Sequence, residues 1–255
     1  MTLNSNTLDN MKLEEYLPTI EQFLKDYLKV AHADGYVLGL SGGVDSSLVA
    51  AIAKKAVGKE NLTCILMPVH SNPKDLEDGI KVAESLDVNY VVLDGSKAFD
   101  TLKEEFVSKG QELSDGSSYN LKVRIRMCML YAYGQTHNYL VLGTDNADER
   151  YTGYFTKHGD GACDILPIVH LIKSEVVQAA KIYGIPNELA ERTPTAGLFP
   201  GQTDEKEMGI TYKELDDFLL GKEINPTSKA RIEHLHKVSE HKRKEVPAPK
   251  EFIRD

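Results

Sequence analysis

The stretch that most constrains this chain is Tyr36–Ala53. An apolar run, Tyr36-Val37-Leu38-Gly39-Leu40, enters the turn Ser41-Gly42-Gly43-Val44-Asp45-Ser46-Ser47, and a helix-like run, Leu48-Val49-Ala50-Ala51-Ile52-Ala53, leaves it. A strand, a tight Gly-Gly turn and a helix N-terminus bring backbone N–H groups and the positive end of a helix dipole to one point, which makes an anion site. Gly42 and Gly43 permit close backbone approach, and Ser41, Ser46 and Ser47 add hydroxyl donors. Asp45 is the odd member, because a carboxylate in such a cradle repels its ligand. It makes sense if it holds a cation, with Mg2+ the expected one, that bridges to a phosphate. A plain strand-to-helix turn with a Ser cap is the simpler reading, but a cap alone has little need of Gly-Gly and Asp together. The run is neither a Walker A loop, since no G-K-[ST] follows the glycines, nor a dinucleotide fingerprint, since G-x-G-x-x-G is absent.

Around this unit the apolar pattern alternates. Helical spacing over about 12–33 precedes strand one at Val37-Leu38, and Ser46–Val57 reads as a helix closed by Gly58. Leu62–Met67 is a second strand stopped by Pro68, Lys74–Leu86 a helix, Tyr90–Leu93 a third strand and 97–107 a helix. A polar break at Ser114–Ser118 precedes a long helix from about 119 to 136, and Tyr139–Leu142 is a fourth strand ending at Gly143-Thr144. Short apolar strands alternating with helices predict an α/β fold, a doubly wound, mostly parallel sheet flanked by helices. Ligands in such folds bind beyond the carboxyl ends of the strands, where the Ser41 loop and Gly143-Thr144-Asp145-Asn146 both fall. Two long loops follow, at 151–170 and 193–206, and then helices near 211–220 and 226–240. One domain over 1–255 is expected, with a helical segment (1–35), a nucleotide-binding core (36–192), and a lid loop with C-terminal helices (193–255).

With 41% hydrophobic residues the 255-residue chain can build a substantial core. Its formal net charge of -9 argues against broad binding to nucleic acid or an anionic membrane. Cys64, Cys128 and Cys163 are far apart and odd in number, which fits a reducing cytoplasm. Met1-Thr2-Leu3-Asn4-Ser5-Asn6 lacks a basic segment followed by an apolar core, so no signal peptide is expected, and no apolar run approaches membrane-spanning length.

Thr144-Asp145-Asn146-Ala147-Asp148-Glu149 reads as the start of a helix capped by Asp145 or Asn146, from which Glu149 reaches the cation held by Asp45. An ordinary acidic first turn has the same composition. Tyr151 to Pro167 continues it without a gap as YTGYFTKHGDGACDILP. The S-G-G-x-D-S run resembles the pyrophosphate loop of the ATP pyrophosphatases that adenylate their substrates. Together with the stretch T-x-x-x-E-x-x-x-G-[FY]-F-T-K-x-G-D-G-x-x-D-x-x-P, it closely resembles the bacterial NAD synthetases. The resemblance spans almost the whole chain and includes Asn120–Met127, Leu171-Ile172-Lys173, Pro194–Leu198, Gly201–Glu205 and Glu240–Arg243. Val44, Gly197 and Phe199 stand where many members carry other residues. About thirty-five residues precede strand one, too few for the glutaminase domain of the larger family form, so direct use of ammonia is expected.

The resemblance implies an adenine nucleotide alpha hydrolase-like fold and ATP-dependent amidation of deamido-NAD by ammonia. The nicotinate carboxylate would attack the α-phosphorus of ATP, releasing pyrophosphate, and ammonia would displace AMP from the acyl-adenylate. Gly39, Leu40, Ser41, Gly42, Gly43, Val44, Asp45, Ser46, Thr144, Lys173 and Thr195 would bind ATP, and Asp45 and Glu149 the Mg2+. Arg124, Lys157, Asp164, His241 and Lys242 would bind deamido-NAD, and Asp160 would orient or deprotonate ammonium. Taken singly, Arg124, Lys157, Lys173 and the His241-Lys242 tail also read as surface charges. The resemblance further implies a homodimer, and the long apolar-flanked helix at 119–136 is expected to pack across its two-fold axis. The 196–206 loop, with Gly197 and Gly201 as permissive points and Phe199 as an apolar plug, is expected to close over the adenylate and shield it from water. A GMP synthetase core is a rival, but the F-T-K-x-G-D-G run speaks against it. A non-catalytic nucleotide sensor is another, although sensing has no use for two cation-holding carboxylates.

Overall fold

The computed structural model describes residues 11–192, 194–195 and 202–253. Its elements run α1 (Leu13–Ala31), β1 (Gly35–Gly39), α2 (Val44–Val57), β2 (Leu62–Leu66), α3 (Pro73–Ser85), β3 (Asn89–Val92), α4 (Ser96–Ser108), α5 (Asp115–His137) and β4 (Tyr139–Leu142). Beyond the sheet come α6 (Ala147–Thr152), α7 (Lys173–Ile182), α8 (Asn187–Ala190), α9 (Asp204–Met208), α10 (Tyr212–Leu219) and α11 (Pro226–Val238). The four strands are parallel, in the order β3-β2-β1-β4. Winding runs outward from β1 in one direction through β2 and β3, then returns through α4 and α5 to place β4 on the other side. The crevice between the ends of β1 and β4 is thus the switch point where such sheets bind ligands.

Strand alternation explains the layers. Tyr36, Leu38, Cys64 and Leu142 point into the larger core, against α1, α2 and α7. Val37, Ile65 and Val141 point to the other face, against Leu130, Tyr131 and Tyr133 of α5. Buried on both faces, β1 and β2 need continuous apolar runs, which is why they stand out in the sequence. The edge strand β3 is largely exposed. In α2, Leu48, Val49 and Ile52 are fully buried, so truncating Leu48 or Ile52 to Ala removes about 2–5 kcal/mol. Met208, Ile210, Tyr212, Leu215 and Ile232 form a smaller core under α9–α11.

The structure differs from the sequence reading chiefly at the start of α5 and at helices α7, α8 and α9, which that reading does not contain. The polar break at 114–118 is the first turn of α5, because the Ser114 hydroxyl accepts the Ser117 N–H at 3.2 Å and caps the helix. Helix α7 is absent from the elements expected above. Its N-cap is Ile172, which offers no capping side chain, so the usual start signal is missing. Part of the expected 196–206 lid, including Gly197, Phe199 and Gly201, lies outside the described residues.

Candidate active site

The loop after β1 turns at Gly42, where φ is 81° and a Cβ would lie 3.1 Å from the backbone nitrogen of Gly79, so a larger residue is excluded. Its hydroxyls fold back on the loop. Ser46 and Ser47 donate to the Gly43 carbonyl at 3.1 and 2.8 Å, and Ser41 Oγ accepts the Gly43 N–H at 3.2 Å. Helix α2 has no side-chain cap, so its first-turn N–H groups are left for a ligand. A cavity of about 530 Å³ opens there, lined by Gly39–Ser41, Gly43–Ser46, Thr144, Glu149, Lys173 and Thr195 among others. Every predicted ATP residue except Gly42 lines it, Gly42 serving as the hinge of the turn.

Three charged side chains meet at its floor from three elements. Lys173, the first residue of α7, places Nζ 2.5 Å from Asp45 Oδ2 and 3.9 Å from Glu149 Oε1. Asn146 links the carboxylates: its Nδ2 donates to Asp45 Oδ1 at 2.8 Å, while it caps α6 by accepting the Glu149 N–H at 2.9 Å. Glu149 Oε2 closes the reciprocal bond from the Asn146 N–H at 3.2 Å, while Oε1 faces Lys173 and the Tyr212 hydroxyl, 3.5 Å away. Burial alone would push the Lys173 ammonium down, but Asp45 and then Glu149 outweigh it and hold it above its ordinary value. Burial, and next the Asp45 charge, pushes the Glu149 carboxyl well above the carboxylate range.

Asp45 and Glu149 offer hard oxygen donors of the kind that Mg2+ takes, and would hold such an ion if it were bound. No group of three or more His, Cys, Asp or Glu side chains suited to a metal occurs among the described residues. An ion here would therefore share its shell with ligand oxygens, which fits a metal that arrives with a nucleotide.

Sequence reasoning missed what holds Lys173. The Lys173 N–H donates to Asp148 Oδ2 at 2.7 Å and lies 3.1 Å from Asp216 Oδ1, while the Ser174 N–H donates to Asp216 Oδ2 at 3.1 Å. Carboxylates from α6 and α10 thus cap α7 from outside. Tyr212 lies under the Lys173 ammonium, 4.9 Å from ring centroid to Nζ, and its hydroxyl donates to Asp204 Oδ2 at 3.1 Å. Nothing local in the sequence marks these partners, because they come from chain segments far from Lys173.

The predicted dinucleotide residues gather elsewhere. Arg124 donates to the Lys157 carbonyl at 3.3 Å, and Lys157 Nζ to the His241 carbonyl at 2.8 Å. Lys242 Nζ donates to the Gly153 and Phe155 carbonyls at 2.7 and 2.6 Å. Gly153, with φ of 70°, packs so closely on Ser239 that a Cβ would clash at 2.2 Å, which fixes the C-terminal segment on this loop. Of the five, Lys242 lines the cavity; Arg124, Lys157 and His241 form a linked edge beside it. Asp164 is tied to the sheet, accepting the Val141 N–H at 2.7 Å and the Tyr131 hydroxyl at 3.2 Å. Asp160 lines the cavity, with Oδ1 on the Thr156 N–H at 2.6 Å.

A family model described as NAD synthase matches residues 16–246. The NH(3)-dependent NAD(+) synthetase of Mesoplasma florum is 45% identical over 252 residues, covering 96% of this chain and 100% of that protein. Among solved structures, the NMN synthetase of Francisella tularensis superposes with a TM-score of 0.88 at 38% identity, covering 94% of this chain and 99% of that one. The NH3-dependent NAD synthetase of Campylobacter jejuni superposes with a TM-score of 0.77 at 30% identity, covering 94% and 100%. With the Ser41 loop, the Asp45–Lys173–Glu149 cluster and these likenesses in agreement, the chain belongs to the NAD synthase family.

Proposed function

We infer that this chain makes NAD by amidating deamido-NAD with ammonia at the expense of ATP, through an acyl-adenylate, releasing AMP and pyrophosphate. The observation that carries the reading is the Asp45–Lys173–Glu149 cluster at the β1/β4 switch point of a member of this family. The nicotinate carboxylate is a poor acyl donor, and adenylation gives it a leaving group. The uncapped N–H groups of α2 and the Ser41 loop bind the ATP phosphates, with Thr144 and Thr195 beside them. Lys173 neutralises charge that develops on the phosphates, an effect strongest in a dry site. Asp45 and Glu149 are the residues that would hold Mg2+, which supplies further charge neutralisation when bound. Arg124, Lys157, Asp164, His241 and Lys242 take the dinucleotide, their cations matching its pyrophosphate. Asp160, open to the cavity, orients ammonium.

The exposed Arg124–Lys157–His241 edge fits a homodimer in which deamido-NAD lies near the subunit boundary, against α5. Among the described residues no helix is long and apolar enough to cross a membrane, and the three cysteines are unpaired, in keeping with work in the cytoplasm.

The test is an assay with ATP, Mg2+, ammonium and deamido-NAD. NAD, AMP and pyrophosphate in equal amounts are expected; ADP and phosphate would overturn the adenylation mechanism. The closer superposition on the NMN synthetase supports a second reading, in which the acyl donor is the nicotinate mononucleotide. Running both donors side by side decides it through the ratio of their kcat/KM values.

A further inference from the structure

At the end of β4 stands a carboxylate that the ATP corner does not use. Asp145 is 4% exposed and lines the cavity with Asp45, Asp160 and Lys242. Its Oδ2 is buried and accepts no hydrogen bond among the described residues. Arg150 NH1 lies 3.9 Å away, beyond hydrogen-bonding distance, and its guanidinium sits over the Phe155 ring at 5.1 Å. The other charges that bear on Asp145 are Asp160 and Asp45, of the same sign, and Lys242. Lys242 is committed to two backbone carbonyls, and Asp160 Oδ1 to the Thr156 and Gly161 N–H groups at 2.6 and 3.2 Å. Asp145 Oδ2 is thus a buried acceptor without a donor, in a corner where Asp160 and Asp45 are set against Arg150 and Lys242, and buried polar groups of that kind call for a partner.

The missing partner is a small cation that donates hydrogen bonds. A carboxylate oxygen without a donor disfavours a phosphate oxygen beside it, and one such oxygen next to buried Phe155 suits a monovalent hydrogen-bond donor better than Mg2+, which takes several oxygen ligands. We propose that Asp145 binds the ammonium substrate in this corner and takes the proton that converts it to ammonia. The assignment rests on the amidation reading above. One N–H proton passes to Asp145 and leaves a lone pair on nitrogen. That pair forms the C–N bond to the acyl carbon, and the bond from that carbon to the phosphate-bearing oxygen breaks. AMP departs with its electrons, and its phosphate or solvent takes the second proton from nitrogen. Burial, and next the Asp160 charge, pushes the Asp145 carboxyl up to about 8, which gives it useful basicity towards ammonium.

The test compares the full-length wild type with Asp145→Asn, a near-isosteric change, using ammonium or hydroxylamine as the nucleophile. Hydroxylamine is neutral near pH 7.5, so it needs neither a counter-charge nor a base to free its lone pair. In Asp145→Asn, kcat/KM for ammonium should fall at least about thirtyfold, while hydroxamate formation from hydroxylamine should stay within about threefold of wild type. Equal losses with both nucleophiles, or an unaltered ammonium saturation curve, would overturn the assignment alone. A wild type that forms neither amide nor hydroxamate would overturn the amidation reading and this assignment with it. Should the variant fail to fold, the wild type supplies the check: ammonium chloride should raise its melting temperature above that in sodium chloride of equal ionic strength, and identical melts would count against the site.

Discussion

The Asp45–Lys173–Glu149 corner and the Arg124–Lys157–His241 edge lie beside one another and are built on opposite principles. In the corner, the side chains of Lys173, Asp45 and Glu149 are 7%, 17% and 16% exposed, and each is held by further groups from other elements. At the edge, Arg124 and His241 are exposed, and the cations bond to backbone carbonyls without carboxylate partners. The difference matches the tasks. Phosphoryl chemistry needs charges fixed before the reaction begins, so the corner carries the cost of burial and meets it with a closed network. A dinucleotide edge needs cations that can exchange a carbonyl for a phosphate, so it is left wet and weakly committed.

The largest loss of turnover is expected from Asp45→Asn. Turnover should fall by a hundredfold or more, on the order of 3 kcal/mol of transition-state stabilisation, with folding retained. Steady-state NAD formation at saturating Mg2+ checks it, and near wild-type rates would remove Asp45 from the mechanism. Lys173→Met should cost both activity and stability, because it leaves two buried carboxylates facing each other. Breaking a buried pair costs about 3–5 kcal/mol, a loss that denaturant unfolding would register. If only activity changed, the corner would be a catalytic array without a structural role.

Smaller effects belong to the edge. Arg124→Ala and Lys157→Ala should raise KM for deamido-NAD on the order of tenfold, leave the melting temperature unchanged, and lose part of that effect in high salt. A fall in kcat with KM constant would place these residues with the chemistry instead. A separate signal is in the pH dependence of stability without ligands. Burial, and next the Asp160 charge, pushes the Asp145 carboxyl up to about 8 in the fold, against about 3.9 when unfolded. A raised carboxyl pKa favours the folded state fully below the unfolded value, and that contribution is lost as pH rises through the folded one. Between about pH 4 and 8 stability should therefore decline, and Asp145→Asn should flatten the decline in a series of melts.

The sheet and the anion loop were legible in the chain itself, because their causes are local. Strands buried on both faces must be apolar, a Gly-Gly turn before a helix exposes N–H groups, and Asn146 with Glu149 spells a capping box. Continuous motif stretches carried the family resemblance for the same reason. Tertiary structure alone decided how Lys173 is held. Ile172 gives α7 no cap, so its first N–H groups wait for Asp148 and Asp216, 25 and 43 residues from Lys173 in sequence. Composition could not show that Asp145 loses its hydrogen-bond partners on burial while Asp160 gains backbone donors. Whether a carboxylate becomes a cap, a brace or a base depends on which distant groups folding brings within hydrogen-bonding range, and no stretch of sequence encodes that by itself.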